Sequence, residues 1–313
     1  MDVLTDLLQR SRARGAAFSR STVHGAWGVE FPLAGALAIH AIVDGEMVAW
    51  TAEAPHDPVR VSGGDVLLLR ANPHFLASHA DHPTMPFGAF MQRACGEDGP
   101  GMHLRAGDPA DGPAAEFCCG AYRFEGDLSR PLLDALPPLV RLRPQAGSPL
   151  RLTIDLLAAE LLGSGPGQQA LLDRLLDVAL VQALRTWFGS AAEVPGWFRA
   201  MDEPGPGAAL RAIHADPARP WTVGELAAIA RQSRSAFARR FAEVVGAPPL
   251  EYLTDWRIAL AKEHLRDSSD GLAAIAASVG YASEFSFAAA FKRRVGTAPG
   301  QWRRAAVSSR TSA

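Results

Sequence analysis

The sequence predicts an α+β chain of more than one domain: a β-rich barrel or sandwich first, a helical segment behind it, and a C-terminal all-α tandem helix-turn-helix. Three observations carry this. The last third repeats itself, with Phe237, Phe241, Val245 and Gly246 recurring as Phe287, Phe291, Val295 and Gly296 at a spacing of fifty. Each set closes a short helix, a tight turn and a second helix. Residues 18–123 are cut into short apolar runs by Gly, Pro and Asp, the texture of many short strands. Charge divides at the same place: residues 205–313 carry fifteen Lys and Arg against nine Asp and Glu, a net of +6, while the rest of the chain stands at −8. A basic segment attached to an acidic one is the footprint of a domain that meets phosphate.

Composition excludes several classes. With 313 residues the chain is long enough for about two domains. Three cysteines, Cys95, Cys118 and Cys119, are too few and too odd in number for a disulfide framework. Residues 1–14 set Val3, Leu4, Leu7 and Leu8 among Asp2, Asp6, Arg10, Arg12 and Arg14, an amphipathic helix and not a secretory leader. No apolar run reaches the roughly 18–20 residues that a membrane span needs. A cytoplasmic protein with no membrane partner is expected.

Strands are expected near 36–43, 47–51, 59–61, 66–70, 86–91 and 116–124, with Gly63-Gly64-Asp65 as a hairpin-type turn. Helical texture begins near Pro131 and keeps its spacing through Leu139 until Pro137-Pro138 interrupt it. Two amphipathic helices follow, near 149–163 and 167–188. The second carries a wide apolar stripe that includes Leu171, Leu172, Leu175, Leu176, Val178, Ala179 and Leu180. That stripe serves either a homodimer or burial within its own domain; both readings stay open. Residues 191–207, rich in Gly and Pro, read as a linker.

In the first repeat, Thr222 and Glu225 form a capping box before residues 223–230. Ser233 caps the second helix and Gly246 ends it. Phe237 and Phe241 point inward. Ser235, Ala238 and Arg239 then face outward, where a recognition helix meets base edges, and Arg240 is placed for phosphate. The second repeat has a turn one residue longer. Ile275, Ala276 and Val279 pack inward, Gly280-Tyr281 turns, and Ser283 caps a helix bearing Glu284, Ala288 and the basic run Lys292, Arg293 and Arg294. That run suits backbone phosphates. A helix over 249–266 would fix the two units so that both enter the major groove of double-stranded DNA about 34–36 Å apart.

Residues 208–306 resemble the C-terminal domain of the AraC/XylS family of bacterial transcription regulators. The resemblance is carried by Trp221-Thr222-Val223, Leu226-Ala227, Gly246, Pro248, Trp256-Arg257, Ile275-Ala276, Gly280-Tyr281, Phe291-Lys292, Pro299 and Trp302-Arg303. It implies a promoter or operator as partner, and leaves RNA polymerase as a further one. One departure stands out: Ala288, Ala289 and Ala290 occupy the middle of the second recognition helix, where the family carries a polar or basic residue. The second unit would therefore meet thymine methyls and backbone more than it reads bases.

Residues 1–190 are similar to the cupin-type sensor domain of one branch of that family, on Trp27-Gly28, Phe31-Pro32, Ile39-His40, Gly64-Asp65-Val66, His74, Cys119-Gly120 and Tyr122-Arg123-Phe124. The expected fold is thus a cupin-like β-barrel with a helical dimerisation segment, taking an unidentified small-molecule effector. His40, His74 and either Cys118 or Cys119 would suit zinc, with Cys119 taken as the third ligand. The preferred alternative leaves His40 and His74 as hydrogen-bonded barrel residues. Redox sensing by cysteine is also implied by some relatives, although Ser19 and Ser21 stand where such a sensor would want a thiol. The rival function is a metal-dependent cupin enzyme with a DNA-binding appendage. The histidine and glutamate missing beside His40 count against it, and no catalytic residue is assigned.

Overall fold

The computed structural model describes residues 2–10, 14–32, 36–70, 73–94, 103–124, 128, 130–163, 165–191 and 194–311. Its contacts divide into two compact units. One comprises Ala13–Phe124 and Leu133–Ala192; the other joins Met1–Arg12, Glu125–Leu132 and Glu193–Ala313.

The first unit is built on two sheets. Its strands are β1 (Arg14–His24), β2 (Gly28–Phe31), β3 (Ala36–Asp44), β4 (Glu46–Thr51), β5 (Ala54–Ser62), β6 (Val66–Leu69), β7 (His74–Ala77), β8 (Met85–Pro86), β9 (His103–Ala106), β10 (Ala114–Arg123) and β11 (Leu139–Leu142). One sheet runs β11-β6-β3-β10-β1-β9 and the other β5-β4-β7-β2-β8. The expected barrel or sandwich takes the form of two sheets with a shared core that takes Ala38, Ile42, Leu67 and Phe117 from one and Val29, Met47, Ala49 and Leu76 from the other. The six-stranded sheet is also covered on its outer face. Ile39, Ala41 and Cys118 meet Ile154 and Leu157 of the helix α4 (Pro149–Glu160). Burial on both faces explains why residues 37–42 form an unbroken apolar run interrupted only by His40. Tyr122, fully buried, donates from its hydroxyl to Leu176 O of α5 (Gln168–Ser190) at 2.5 Å, and α5 packs on α4.

Several local expectations fail. Of residues 86–91 only Pro86 lies in a strand, at the end of β8; the rest begin the helix α2 (Phe87–Ala94), whose buried Phe90 and Ala94 keep helical spacing. Gly63-Gly64-Asp65 does not close a hairpin, because β5 and β6 belong to different sheets. The Asp65 carboxylate accepts from Ser62 N at 2.9 Å and from Arg141 Nη2 at 2.6 Å, pinning the crossing instead. Leu139 lies in β11, since the two prolines end the helical pattern and the chain leaves them extended. The stripe on α5 is mostly satisfied within its own unit: Leu172, Leu176, Ala179, Leu180, Ala183 and Leu184 are buried, whereas Leu171 and Val178 are exposed.

The second unit is helical. It contains α1 (Val3–Arg10), α6 (Gly196–Met201), α7 (Pro204–Ala215), α8 (Val223–Ile229), α9 (Arg234–Val245), α10 (Pro249–Asp267), α11 (Leu272–Ser278), α12 (Glu284–Val295) and α13 (Pro299–Thr311), while α3 (Arg130–Leu133) straddles the division. Two boundaries differ from expectation. The first helix ends at Arg10, and the chain is already in β1 at Arg14. That helix packs on α6 and α7, with Val3, Leu4 and Leu7 buried. The stretch 191–207 is also not a bare linker. Pro204 begins α7 at a position where the missing N–H costs nothing. Gly207 lets that helix approach α6 closely, since a Cβ there would stand 2.6 Å from Ala200 O.

Candidate nucleic-acid interface and the polar centre of the two-sheet unit

Both repeats fold as the sequence requires. Thr222 and Glu225 form a reciprocal capping box on α8, and the two Thr222 bonds hold the exposed Glu225 carboxyl below its ordinary range. Ser233 caps α9 through Ala236 N, and Ser283 caps α12 through Ser286 N. Gly246 and Gly296 end the two helices at φ 89° and 85°. The longer second turn is visible in the hydrogen bonds. Gln232 N bonds Ala227 O and Tyr281 N bonds Ala276 O, an offset of forty-nine, while the capping serines are offset by fifty. The left-handed residue of the first turn is Arg231, at φ 54°; its counterpart is Gly280, at φ 84°.

Phe237, Phe241, Phe287 and Phe291 are fully buried, so the opposite faces of α9 and α12 are presented outward. On α9 these are Ser235 and Arg239, both exposed, with Ala238 half-buried between them. Arg239 is 78% exposed and only loosely paired with Glu243, at 3.7 Å. On α12, Glu284, Lys292 and Arg293 are exposed and Ala288 is half-buried. Ser233 and Ser283 sit at the edge of these faces with their hydroxyls engaged as caps.

Two of the residues expected at phosphate are ion-paired within the helical unit. Arg240 donates to Glu203 from Nε at 3.0 Å, and Glu243 also lies beside it. Arg294 is held by Glu251 at 3.0 Å and Asp255 at 3.1 Å, both on α10. Their guanidiniums fix α9 against the start of α7 and α12 against α10. Charge in a sequence does not show which partner lies nearest in space. Lys292 and Arg293 make no ion pair among the described residues and remain open to a ligand. Two side chains take positions that no motif assigned them. Phe285 is 80% exposed on the first turn of α12, although a lone Phe in a helical pattern reads as core. Arg257 locks the segment before α8 by donating to Pro217 O and Arg219 O, each at 2.7 Å.

In the cupin-region unit the register of β1, β10 and β3 brings the predicted polar residues together. Cys119 lies opposite both Ser19 and His40. His40 Nδ1 stands 2.8 Å from Cys119 Sγ, and His40 Nε2 stands 2.8 Å from His74 Nε2. All three side chains are buried, and Phe31 stacks on His74 with ring centres 5.2 Å apart. A consistent proton assignment has the Cys119 thiol donating to His40 Nδ1 and His40 Nε2–H donating to His74 Nε2. Burial, then the nearby His74, holds the His40 imidazole well below its usual range, so it is neutral. Burial raises both thiols, Cys118 to about 12 and Cys119 well above its ordinary value. These thiols are free, and Cys95 lies outside the described residues. The hydroxyls of Ser19 and Ser21, also buried, have no hydrogen-bond partner among the described residues.

This geometry does not fit the three-ligand zinc site. Two imidazole nitrogens on one zinc ion at about 2.0–2.1 Å each would stand roughly 3.3 Å apart, and Cys119 reaches the opposite nitrogen of His40. One ion cannot take all three donors as they are placed. Among the described residues no group of three or more His, Cys, Asp or Glu side chains is arranged to hold a metal.

Two capped helix-turn-helix units on one frame, each offering an exposed cationic helix face, define a DNA-binding protein. A cupin family profile matches residues 2–189, and a helix-turn-helix domain profile matches residues 226–305. The chain is 35% identical to a putative AraC-like transcription regulator of Streptomyces antibioticus, over 97% of this chain and 99% of that one. It is 34% identical to one of Streptomyces lividans, over 97% and 98%. Among solved structures, the DNA-binding domain of the transcriptional factor AdpA in complex with a target DNA is 28% identical, with a TM-score of 0.34, covering 36% of this chain and 100% of that one. The chain belongs to the family of AraC-like transcription regulators, with a cupin domain ahead of its helix-turn-helix domain. Among the described residues no helix is long and apolar enough to cross a membrane.

Proposed function

We propose that the chain binds a promoter or operator in double-stranded DNA as a homodimer in the cytoplasm, and that its cupin domain transmits a small-molecule or redox signal. The observation that carries the DNA reading is the pairing of outward faces: Ser235 and Arg239 on α9, and Lys292 with Arg293 on α12, each backed by two fully buried phenylalanines. Arg239 reads base edges, whereas Lys292 holds phosphate. Arg239→Ala should therefore cost about 1–3 kcal/mol on a selected operator and little on random DNA, relaxing sequence preference. Lys292→Ala should weaken both alike and lower the salt slope by about 1. Fluorescence anisotropy titrations at several salt concentrations measure both quantities. Equal losses on operator and random DNA for Arg239→Ala would remove it from the base-reading role.

Dimerisation is assigned to the outer face of the α4–α5 pair. Leu152, Leu156 and Leu162 are 58%, 51% and 57% exposed, and Leu171 and Val178 are 42% and 43% exposed. An apolar face of this kind on a folded helix pair calls for a cover, and a second copy supplies an identical face in an isologous contact. Replacing Leu152 and Leu156 together by Glu should give a folded monomer in sedimentation velocity. A wild-type protein that is monomeric at micromolar concentration would rule out this interface.

The buried Cys119–His40–His74 relay is the reading given to the sensor centre, in place of zinc. A thiol binds zinc only as the thiolate, and the His40 ring would have to turn so that its free nitrogen converged with those of Cys119 and His74 on one point. Mass spectrometry of the purified protein should find no stoichiometric zinc; one zinc per chain, lost in His74→Ala, would restore the metal site. The protein is read as a regulator and not as a cupin enzyme, a reading supported by its likeness to AraC-like regulators over nearly the full chain. RNA polymerase is the natural further partner of a DNA-bound regulator.

A further inference from the structure

The recognition helix α12 carries a side chain that its fold does not explain. Phe287 and Phe291 of the same helix are fully buried, whereas Phe285 is 80% exposed, the most exposed large apolar side chain of the described residues. Its backbone is well fixed: Ser283 caps the helix and forms a box with Ser286, so Phe285 projects from a rigid first turn. One helical turn on, at the i+4 position, stands the exposed Ala289, followed by the exposed Lys292 and Arg293. The outward stripe is thus an aromatic ring, a methyl group and then two cations. In the first repeat the place of Phe285 belongs to Ser235, so the aromatic ring is a property of the second unit alone.

That stripe limits what α12 can recognise. Between Ser286 and Lys292 the exposed surface offers no side-chain donor or acceptor to a base edge. The apolar feature of the DNA major groove is the C5-methyl of thymine, and contact with that methyl is a recognised mode for alanine and phenylalanine side chains. The cations beyond it fall toward the backbone. We propose that Phe285, supported by Ala289, is the specificity-determining contact of the second helix-turn-helix unit and reads thymine C5-methyl groups. The inference rests on the reading that α12 lies in the major groove. It adds the chemistry of what is recognised there.

The test uses the full-length protein and a duplex selected by it from random sequence. Each thymine is replaced in turn by deoxyuridine, which removes the methyl and leaves the pairing unchanged. Loss of one buried methyl should weaken wild-type binding about three- to five-fold at one or two thymines of the α12 half-site. Phe285→Ala and Phe285→Ser should bind the thymine and deoxyuridine duplexes equally, with an unaltered salt slope. Both variants change an exposed side chain, and far-ultraviolet circular dichroism verifies that they fold. The proposal is overturned if no thymine is sensitive, or if the variants keep the wild-type discrimination. It also falls if Phe285→Ala leaves DNA binding intact and abolishes only transcription activation, since the ring would then contact protein. Failure of the underlying reading looks different: Lys292→Ala would then bind all DNA as the wild type does.

Discussion

Gly280→Ala should unfold or severely loosen the helical unit, lowering its stability by about 2–5 kcal/mol. Two costs add. A left-handed backbone with a Cβ costs roughly 1–2 kcal/mol, and φ at Gly280 is 84°. The new methyl also has no space. It would stand 2.3 Å from Ala218 O, 2.7 Å from Ala218 Cα and 2.7 Å from Arg257 Nη2, and overpacking of that kind costs about 1–3 kcal/mol. The obstruction is backbone, and that backbone is anchored, because Arg257 donates to Pro217 O and Arg219 O on either side of it. Relief would have to come from the turn itself, which sets the entry of α12. DNA binding through the second unit should therefore fall along with the melting temperature.

The first repeat provides the control. Arg231 holds the equivalent left-handed position at φ 54° and is exposed. Arg231→Gly should leave stability unchanged or raise it by up to about 1 kcal/mol, as strain is relieved and chain entropy partly offsets the gain. Thermal melts by circular dichroism should fall for Gly280→Ala and stay level or rise for Arg231→Gly. A melting temperature for Gly280→Ala within 2 °C or so of the wild type would contradict the packing argument.

The helical unit was legible in the sequence because its signals are local. Caps, buried phenylalanines at helical spacing and terminal glycines all act within one or two turns, so Thr222, Ser233, Ser283, Gly246 and Gly296 could be placed by inspection. Partners distant in sequence were not legible. Arg240 and Arg294 read as phosphate contacts until the chain brought Glu203, Glu251 and Asp255 beside them. The two-sheet unit was harder because its strands are short, its sheets mixed and its central strands buried on both faces, which removes the alternation that marks a strand. His40, His74 and Cys119 do meet in the buried core. Which nitrogen of His40 meets which partner depends on the register of β3, β10 and β7, which composition does not encode. A sequence signal did exist for the displaced first helix. Asp6 lies on the same face as Val3 and Leu7, and an acid on an apolar face asks for a buried partner.

That partner is His214, and breaking the pair has the second large expected effect. Asp6 and His214 are both fully buried, with Asp6 Oδ2 2.6 Å from His214 Nδ1. His214 Nε2 stands 2.7 Å from the Tyr252 hydroxyl, and its ring lies 4.4 Å from that of Trp256. Burial alone would raise the Asp6 carboxyl, but hydrogen bonds from His214 and Arg10 outweigh it and hold the carboxyl below its ordinary range. A depressed carboxylate contributes stability above its unfolded value, about 3.9, and loses it as the pH falls through the lower folded value. The wild-type helical unit should therefore weaken below about pH 4. Asp6→Ala strands a buried imidazole and should cost about 3–5 kcal/mol at pH 7. Asp6→Asn keeps an acceptor and should cost less, while flattening the acid limb of the stability profile. Urea unfolding monitored by tryptophan fluorescence, with Trp256 against the site, measures both at pH 7 and pH 3.5. If Asp6→Ala unfolds at the wild-type urea midpoint, α1 is not an integral part of the helical unit and its buried face contributes little.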